Sequence, residues 1–537
     1  MKIKLIQFKV ATFLFVFSAF ILLSSQVSFG FNIENLDEIQ KALNVSSWKA
    51  RPLKQRIKVA ILDKAFYGYA AEVGKSLPAD TQYIPGPLEP PADFKGQHGL
   101  VMAQLLTAIM ENPELHLYNA YGYSNFKSAI EDLINKKIDL VLYSEVWEIG
   151  GNRDGNGFIN ALVNQALDRG IVWVNAAGNF GNTSYTSTIQ TLEEDFVDLP
   201  DQNHGLKIQC QSNAKNSKCP VKIVLSWNDF KDDSTLGTNK DLDLALVDDF
   251  MNVIATSGLK QTDDPKENRP GYSLYPRETI STEIAPGTYF LRVKNRSHNF
   301  NADKDELFIS VDGDGLSMPS HSVGDSVLNP ADNPRVITVG ALDSDRSSYS
   351  VSLAKPNLLA MSSVKTDTEG EFRGSSNAAA FVAGALGLAK SRMPSASFST
   401  LLQNSTLAGW HQRLRGLPLQ WLGFSAANGR CFSVNSNISQ FPQQLIDAVN
   451  VGGLIVQTTA GLRIMTPFDP IVLGKGLYRY QQNDIILTTP EGYKISPRSN
   501  YQIPYGWVEV FQTPMELGLC EPAPQPQGNI FRLYHLY

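Results

Sequence analysis

Gly374-Ser375-Ser376-Asn377-Ala378-Ala379-Ala380-Phe381-Val382-Ala383-Gly384 is the stretch on which the reading of this chain turns. A hydroxyl stands just ahead of a run of very small residues. Alanine and glycine at this density let a helix be packed closely on every side, so a central, buried helix is expected here. A serine at its mouth faces the positive end of the helix dipole and backbone N–H groups with no intrahelical partner. Such a position favours an alkoxide and can hold an oxyanion. On its own the run is no more than a helix start, so partners for the serine have to be found.

Three segments upstream supply them. Arg56-Ile57-Lys58-Val59-Ala60-Ile61-Leu62-Asp63 is almost unbroken in apolar character and ends in a carboxylate, the pattern of a buried parallel strand. Gly96-Gln97-His98-Gly99-Leu100-Val101-Met102-Ala103 starts a weakly polar helix at a histidine. None of the histidines at 116, 204, 298, 321, 411 and 535 opens a small-residue helix. Gly170-Ile171-Val172-Trp173-Val174-Asn175-Ala176-Ala177-Gly178-Asn179 is a second buried strand, and it runs into an asparagine. Taken singly, Asp63 and Asn179 also suit turns, and an isolated histidine also suits a structural role.

Together these segments resemble the subtilisin-like serine proteases (subtilases, S8-type peptidases). That family writes Gly-Thr-Ser-x-Ala-Ala-Pro-x-Val-Ala-Gly at its nucleophile, so Ser375 stands for Thr and Ala380 for Pro. The chain order Asp63, His98, Asn179, Ser376 is the subtilisin order and differs from those of trypsin and the lipases. The resemblance implies Ser376 as nucleophile, His98 as general base, Asp63 as its orienting carboxylate and Asn179 as an oxyanion donor. It extends to Asn333-Pro334-Arg335-Val336-Ile337-Thr338-Val339-Gly340-Ala341 and Lys355-Pro356-Asn357-Leu358-Leu359-Ala360, and so covers about 57–200 and 317–395. Three departures stand out. Asp63 is followed by Lys64-Ala65 rather than Ser/Thr-Gly. His98-Gly99 is followed by Leu100. The strand usually written Asn-x-Ser-x-Gly becomes Leu142-Tyr143-Ser144-Glu145-Val146-Trp147, in which Trp147 is expected to narrow the substrate groove. Glu145 either favours basic, amine-bearing substrates or is simply exposed.

Strands and helices alternate from 57 to about 190, including a strand at 138–143 and a helix at 158–166, which predicts an α/β catalytic domain with a parallel sheet. The interval between Asn179 and Ser376 is far longer than such a domain needs. Inside it, Val221–Trp227, Thr288–Lys294 and Leu307–Val311 alternate with period two, and Pro286-Gly287 marks a turn. An antiparallel β-sandwich inserted at 202–316 is expected, dividing the catalytic domain into 57–201 and 317–400. The insert resembles the β-sandwich modules found beside secreted peptidases. Asp241 and Asp243 either converge on calcium or are solvated edge residues; no metal is assigned. Residues 31–56 read as a short N-terminal segment, too short for the folding prodomain usual in subtilisins. Residues 401–537 read as a small C-terminal β-rich domain.

The chain has 537 residues and a formal net charge of −6. Lys2, Lys4 and Lys9 precede an apolar run from Val10 to Leu23 and small residues up to Gly30, the pattern of a secretory signal peptide over 1–30. An uncleaved anchor is the other reading of that run, although it is short for a membrane span. No basic patch interleaved with aromatics is present, so nucleic acid is not an expected partner. Four cysteines in an exported chain suggest two disulfides, for which Cys210–Cys219 and Cys431–Cys520 are favoured. The expectation is a secreted or periplasmic serine endopeptidase that acts on protein or peptide substrates through an acyl-enzyme and needs no cofactor. A catalytically silent subtilase scaffold with a binding or assembly role is the alternative.

Overall fold

The computed structural model describes residues 32–401, apart from 44, 91–93, 202–204, 212–217, 268, 323–324, 345, 351, 354, 367–369 and 398–400, and beyond them the backbone of short strands between 411 and 532. The expected signal peptide lies outside the described residues. So does most of the expected C-terminal domain, although Leu454–Thr458 and Asp484–Thr488 are strands with antiparallel neighbours. Cys520, and with it the expected Cys431–Cys520 pair, is also outside. No described helix is long and apolar enough to cross a membrane.

The architecture is mixed α/β, with one large parallel sheet and separate antiparallel sheets. The parallel sheet runs Gln82–Ile84, Glu114–Asn119, Lys58–Asp63, Leu140–Tyr143, Val172–Ala176, Ile337–Ala341, Leu358–Ala360, and His411–Gln412 pairs antiparallel at its edge. From Glu114–Asn119 to Leu358–Ala360 its strands are buried on both faces, which explains their largely apolar character. Along Lys58–Asp63, Val59 and Ile61 join the core beneath the helices His98–Ile109 and Ser375–Arg392. Ala60 and Leu62 face the opposite core, with Phe126 and Ile130 of Gly122–Asn135 and Val163 of Phe158–Leu167.

Small residues on the Ser376 helix allow its close packing. A Cβ added at Gly384 would lie 2.9 Å from Leu106 O of the His98 helix. The short N-terminal segment is part of this core: Ile39, Leu43, Val45 and Trp48 are buried in it, and Asn35 bonds the backbone of Ser363 and Lys365. The Lys355-Pro356-Asn357 motif has a structural reason. The Lys355 ammonium is buried and donates to Val336 O, Thr338 Oγ1 and Asn357 Oδ1, tying two neighbouring strands together.

Between Asn179 and Ser376 lie two larger antiparallel sheets. One has four strands: Arg277–Ile284, Cys219–Trp227, Glu306–Asp312 and Ser184–Thr188. The other has five: Val253–Ser257, Leu242–Asp248, Gly287–Asn295, Leu206–Cys210 and Leu316–Ser317. Residues from both, including Ile208, Leu244 and Leu291 with Ile223, Leu225 and Ile309, form one apolar cluster. The Cys210–Cys219 disulfide is formed and links one strand of each sheet. Strand pairing places Ser184–Thr188 with these sheets, ahead of the expected start at 202. Its Ser-Tyr-Thr-Ser-Thr sequence carries no apolar alternation to announce it.

Asp241 and Asp243 are not the solvated pair that was one expectation for them. Asp243 pairs with Arg296 (2.6 Å). Burial, reinforced by the Asp243 charge, pushes the Asp241 carboxyl up to about 6. A carboxyl whose folded pKa is raised costs stability above that pKa and nothing well below its unfolded value near 3.8. Asp241→Asn is therefore expected to unfold at the same temperature as the parent near pH 3.5. Its advantage should open between pH 4 and 6 and stay at on the order of 1 kcal/mol at pH 7. Calorimetry across that range checks this, and an advantage independent of pH would contradict it.

Candidate active site

The site lies where strand ends meet helix starts, the usual location for chemistry in a parallel sheet. Asp63 is the last residue of its strand and is fully buried. One carboxylate oxygen accepts from the Ala65 N–H (3.1 Å) and the other lies 2.7 Å from His98 Nδ1. Because Nδ1 faces a carboxylate, the proton belongs on Nδ1 and leaves Nε2 as the basic nitrogen. His98 opens its helix with its side chain 41% exposed. The glycine after it is required by space rather than by backbone angle, since a Cβ at Gly99 would lie 2.8 Å from Asp63 Cγ.

Ser376 sits in the first turn of its helix, where the backbone N–H has no intrahelical partner. Its hydroxyl donates to Ser144 O (3.0 Å) and not to His98. Asn179 is held by Ser375: its Oδ1 accepts from both the Ser375 N–H and the Ser375 hydroxyl, each at 3.1 Å. A backbone N–H can only donate, so this contact fixes the amide orientation and leaves Asn179 Nδ2 with no protein partner among the described residues. The Ser375 hydroxyl in turn accepts from the Gly178 N–H (3.1 Å). A cleft of about 320 Å³ opens over these groups, lined by Ser144, Glu145, Asn179, Asp312, Arg373 and Ser376 among others.

All four residues singled out from the sequence, Asp63, His98, Asn179 and Ser376, therefore gather at one end of the sheet. One expectation is corrected. Trp147 does not narrow the cleft; its ring packs on Phe126, with centroids 5.6 Å apart, and its backbone N–H donates to Asn329 O. Val146 lines the cleft instead.

Two features escaped the sequence reading. The first is the grip of Ser375 on Asn179. The second is an ion pair between Lys64 Nζ and Glu145 Oε1 (2.8 Å), so Glu145 is not simply exposed. The register would have revealed the pair. The strands Lys58–Asp63 and Leu140–Tyr143 pair with Leu62 level with Tyr143, which brings Lys64 level with Glu145. Carboxylate oxygens of Asp63 and Glu145 and a His98 ring nitrogen lie within 4.8 Å of one another. The Lys64 ammonium is already the cation of that cluster. Burial opposes charge on the imidazole, but the Asp63 charge and hydrogen bond, helped by Glu145, hold His98 above its usual range, while Lys64 pulls the other way.

Residues 280–415 match the family described as the Subtilase family. That segment, about a quarter of the chain, is similar to the subtilases. The match spans the Ser376 helix but not Asp63, His98 or Asn179, which join it through the geometry above. Solved structures similar to the chain include the CspB protease of Clostridium perfringens, at 12% identity over 66% of this chain and 87% of that one, with a TM-score of 0.39. Another is the epidermin leader peptide processing serine protease of Staphylococcus aureus, at 13% identity over 69% and 75%, with a TM-score of 0.32. A third is the pre-peptidase C-terminal domain of a Bacillus anthracis collagenase, at 13% identity over 24% and 89%, with a TM-score of 0.13. No curated protein matches the chain.

The packing of Gly99 on Asp63 is directly testable. Gly99→Ala should destabilise the fold by roughly 1–3 kcal/mol, the usual cost of overpacking a tight contact. It should also displace Asp63 from His98. An unchanged melting temperature would show that the helix start can shift away freely.

Proposed function

We propose that this subtilase-like chain is an exported serine endopeptidase. The observation that carries the reading is that a buried Asp63 holding His98 stands at the same end of the parallel sheet as a cleft lined by a helix-mouth serine and an asparagine whose amide nitrogen has no partner among the described residues. In this reading Ser376 Oγ attacks a peptide carbonyl as its proton passes to His98 Nε2. Asp63 holds the ring and stabilises the imidazolium. Asn179 Nδ2 and the Ser376 N–H receive the developing oxyanion. His98 then protonates the leaving amine, and water releases the acyl group from Ser376. In the free chain the serine hydroxyl rests on Ser144 O, and catalytic hydrogen bonds commonly tighten only when substrate is bound. No step calls for a cofactor.

The two antiparallel sheets act in this proposal as an inserted β-sandwich that walls the cleft through Asp312. Ser310 Oγ to Glu148 Oε1 (2.6 Å) and Arg153 to Glu306 (3.3 Å) fix the insert beside the catalytic sheet. Export through the N-terminal signal suits the Cys210–Cys219 disulfide. The substrates would be proteins or peptides.

Ser376→Ala should fold normally and lose proteolysis by on the order of a million-fold, the loss that follows removal of the serine from such a triad. Asn179→Ala should lower kcat roughly 100- to 1,000-fold and change KM little, because its amide is needed where charge develops. Steady-state kinetics on a denatured protein substrate measure both. Undiminished proteolysis by Ser376→Ala would overturn the reading, and an Asn179→Ala effect confined to KM would remove Asn179 from the oxyanion role.

A further inference from the structure

Lys64 and Glu145 follow the ends of two neighbouring parallel strands, and they meet each other beside His98. We propose that Lys64 and Glu145 are a charge-balancing pair that sets the protonation midpoint of His98. The proposal rests on the peptidase reading, in which His98 must be neutral to accept the Ser376 proton.

The charges that face the ring come from two strand ends. The Asp63 strand and the residue after it bring Asp63 and Lys64. The strand Leu140–Tyr143 and its continuation bring Tyr143 and Glu145. Tyr143 is fully buried, and burial keeps its phenol neutral. The His98 helix carries no charged side chain, and the first turn of the Ser376 helix carries none. Arg373, ahead of that turn, lines the cleft and is paired with Glu371. Beyond the ring, Glu148 acts on Lys64.

The shell around the imidazole thus holds two carboxylates and one ammonium. Its charge is −1 with His98 neutral and zero with the imidazolium formed. Asp63 must stay to orient the ring, and a second carboxylate at this range would by itself favour the imidazolium too strongly for a general base at neutral pH. Lys64 offsets that second charge. The balance depends on geometry: the Lys64–Glu145 contact is 2.8 Å, with the Glu145 side chain 18% and the Lys64 side chain 48% exposed, so solvent screens the pair only in part. Burial opposes charge on Lys64, but the Glu145 charge and hydrogen bond hold its ammonium above the usual range. Burial and Asp63 push the Glu145 carboxyl up, while Lys64 and His98 oppose that rise. Lys64 is thereby kept charged mainly by Glu145, and the rise of the Glu145 carboxyl is limited mainly by Lys64.

Single and double substitutions then have opposite signs, which a purely structural ion pair would not produce. Glu145→Gln keeps the shape and leaves Lys64 facing His98 alone, so the imidazolium is disfavoured. Lys64→Met leaves two carboxylates and favours it. The double variant restores the net charge, and Lys64→Arg keeps it. The readout is a histidine-selective NMR titration of the full chain, with the His98 ring signal assigned by its loss in His98→Asn; it needs no turnover. The expected midpoint falls by roughly half to one pH unit in Glu145→Gln and rises by a similar amount in Lys64→Met, because the Glu145 carboxylate lies within 4.8 Å of a ring nitrogen, Lys64 lies 2.8 Å from that carboxylate, and the site is partly screened. It should return close to the parent in the double variant and stay there in Lys64→Arg. Midpoints that agree across all variants, or that move the same way in Glu145→Gln and Lys64→Met, would overturn the proposal. Undiminished proteolysis by Ser376→Ala would overturn the peptidase reading while leaving this titration order intact, so the two failures are distinguishable.

Discussion

A single buried carboxylate organises the end of the parallel sheet where the candidate site lies. Asp63 is fully buried, and an ionised carboxylate without water is stable only if each oxygen is matched by a donor. The Ala65 N–H satisfies one oxygen and His98 the other. The consequences spread outward from there. The helix after His98 must approach so closely that position 99 has no room for a side chain. The Ser376 helix must in turn pack against the His98 helix, and its run of alanine and glycine permits that. The cleft, Asn179 and Ser376 all take their places from these contacts.

The same constraint explains the location of the unusual charges. The strand ends at Asp63 and Ser144 lie side by side, so whatever follows them stands next to the imidazole. A lysine after one strand would disturb the histidine unless a carboxylate followed the other. Lys64 and Glu145 meet that condition together, and neither is explained by its own segment alone.

This pattern also shows what the sequence could and could not reveal. Asp63, His98, Asn179 and Ser376 were legible because each ends or begins an element whose apolar period is plain, and because their order along the chain is informative. The Cys210–Cys219 link was legible from its short spacing. Lys64–Glu145 was not, because it depends on the register of two parallel strands, which no local period encodes. The grip of Ser375 on Asn179 was not legible either, since it joins segments far apart in the chain. Trp147 was misdirected because adjacency in sequence says nothing about which side of an extended chain a residue faces. The packing of Ile39, Leu43 and Trp48 into the core was missed because so short a helix carries little periodic signal.

The central claim is that Ser376 is an activated nucleophile served by His98 and Asp63. Treatment of the full chain with a serine-directed fluorophosphonate, followed by mapping of the adduct by peptide mass spectrometry, tests it most directly, because only a serine with a working base reacts at an appreciable rate. The account predicts one adduct on Ser376, formed in the parent protein and lost in His98→Ala. No adduct on the folded chain, or an adduct on Ser375 instead, would contradict it.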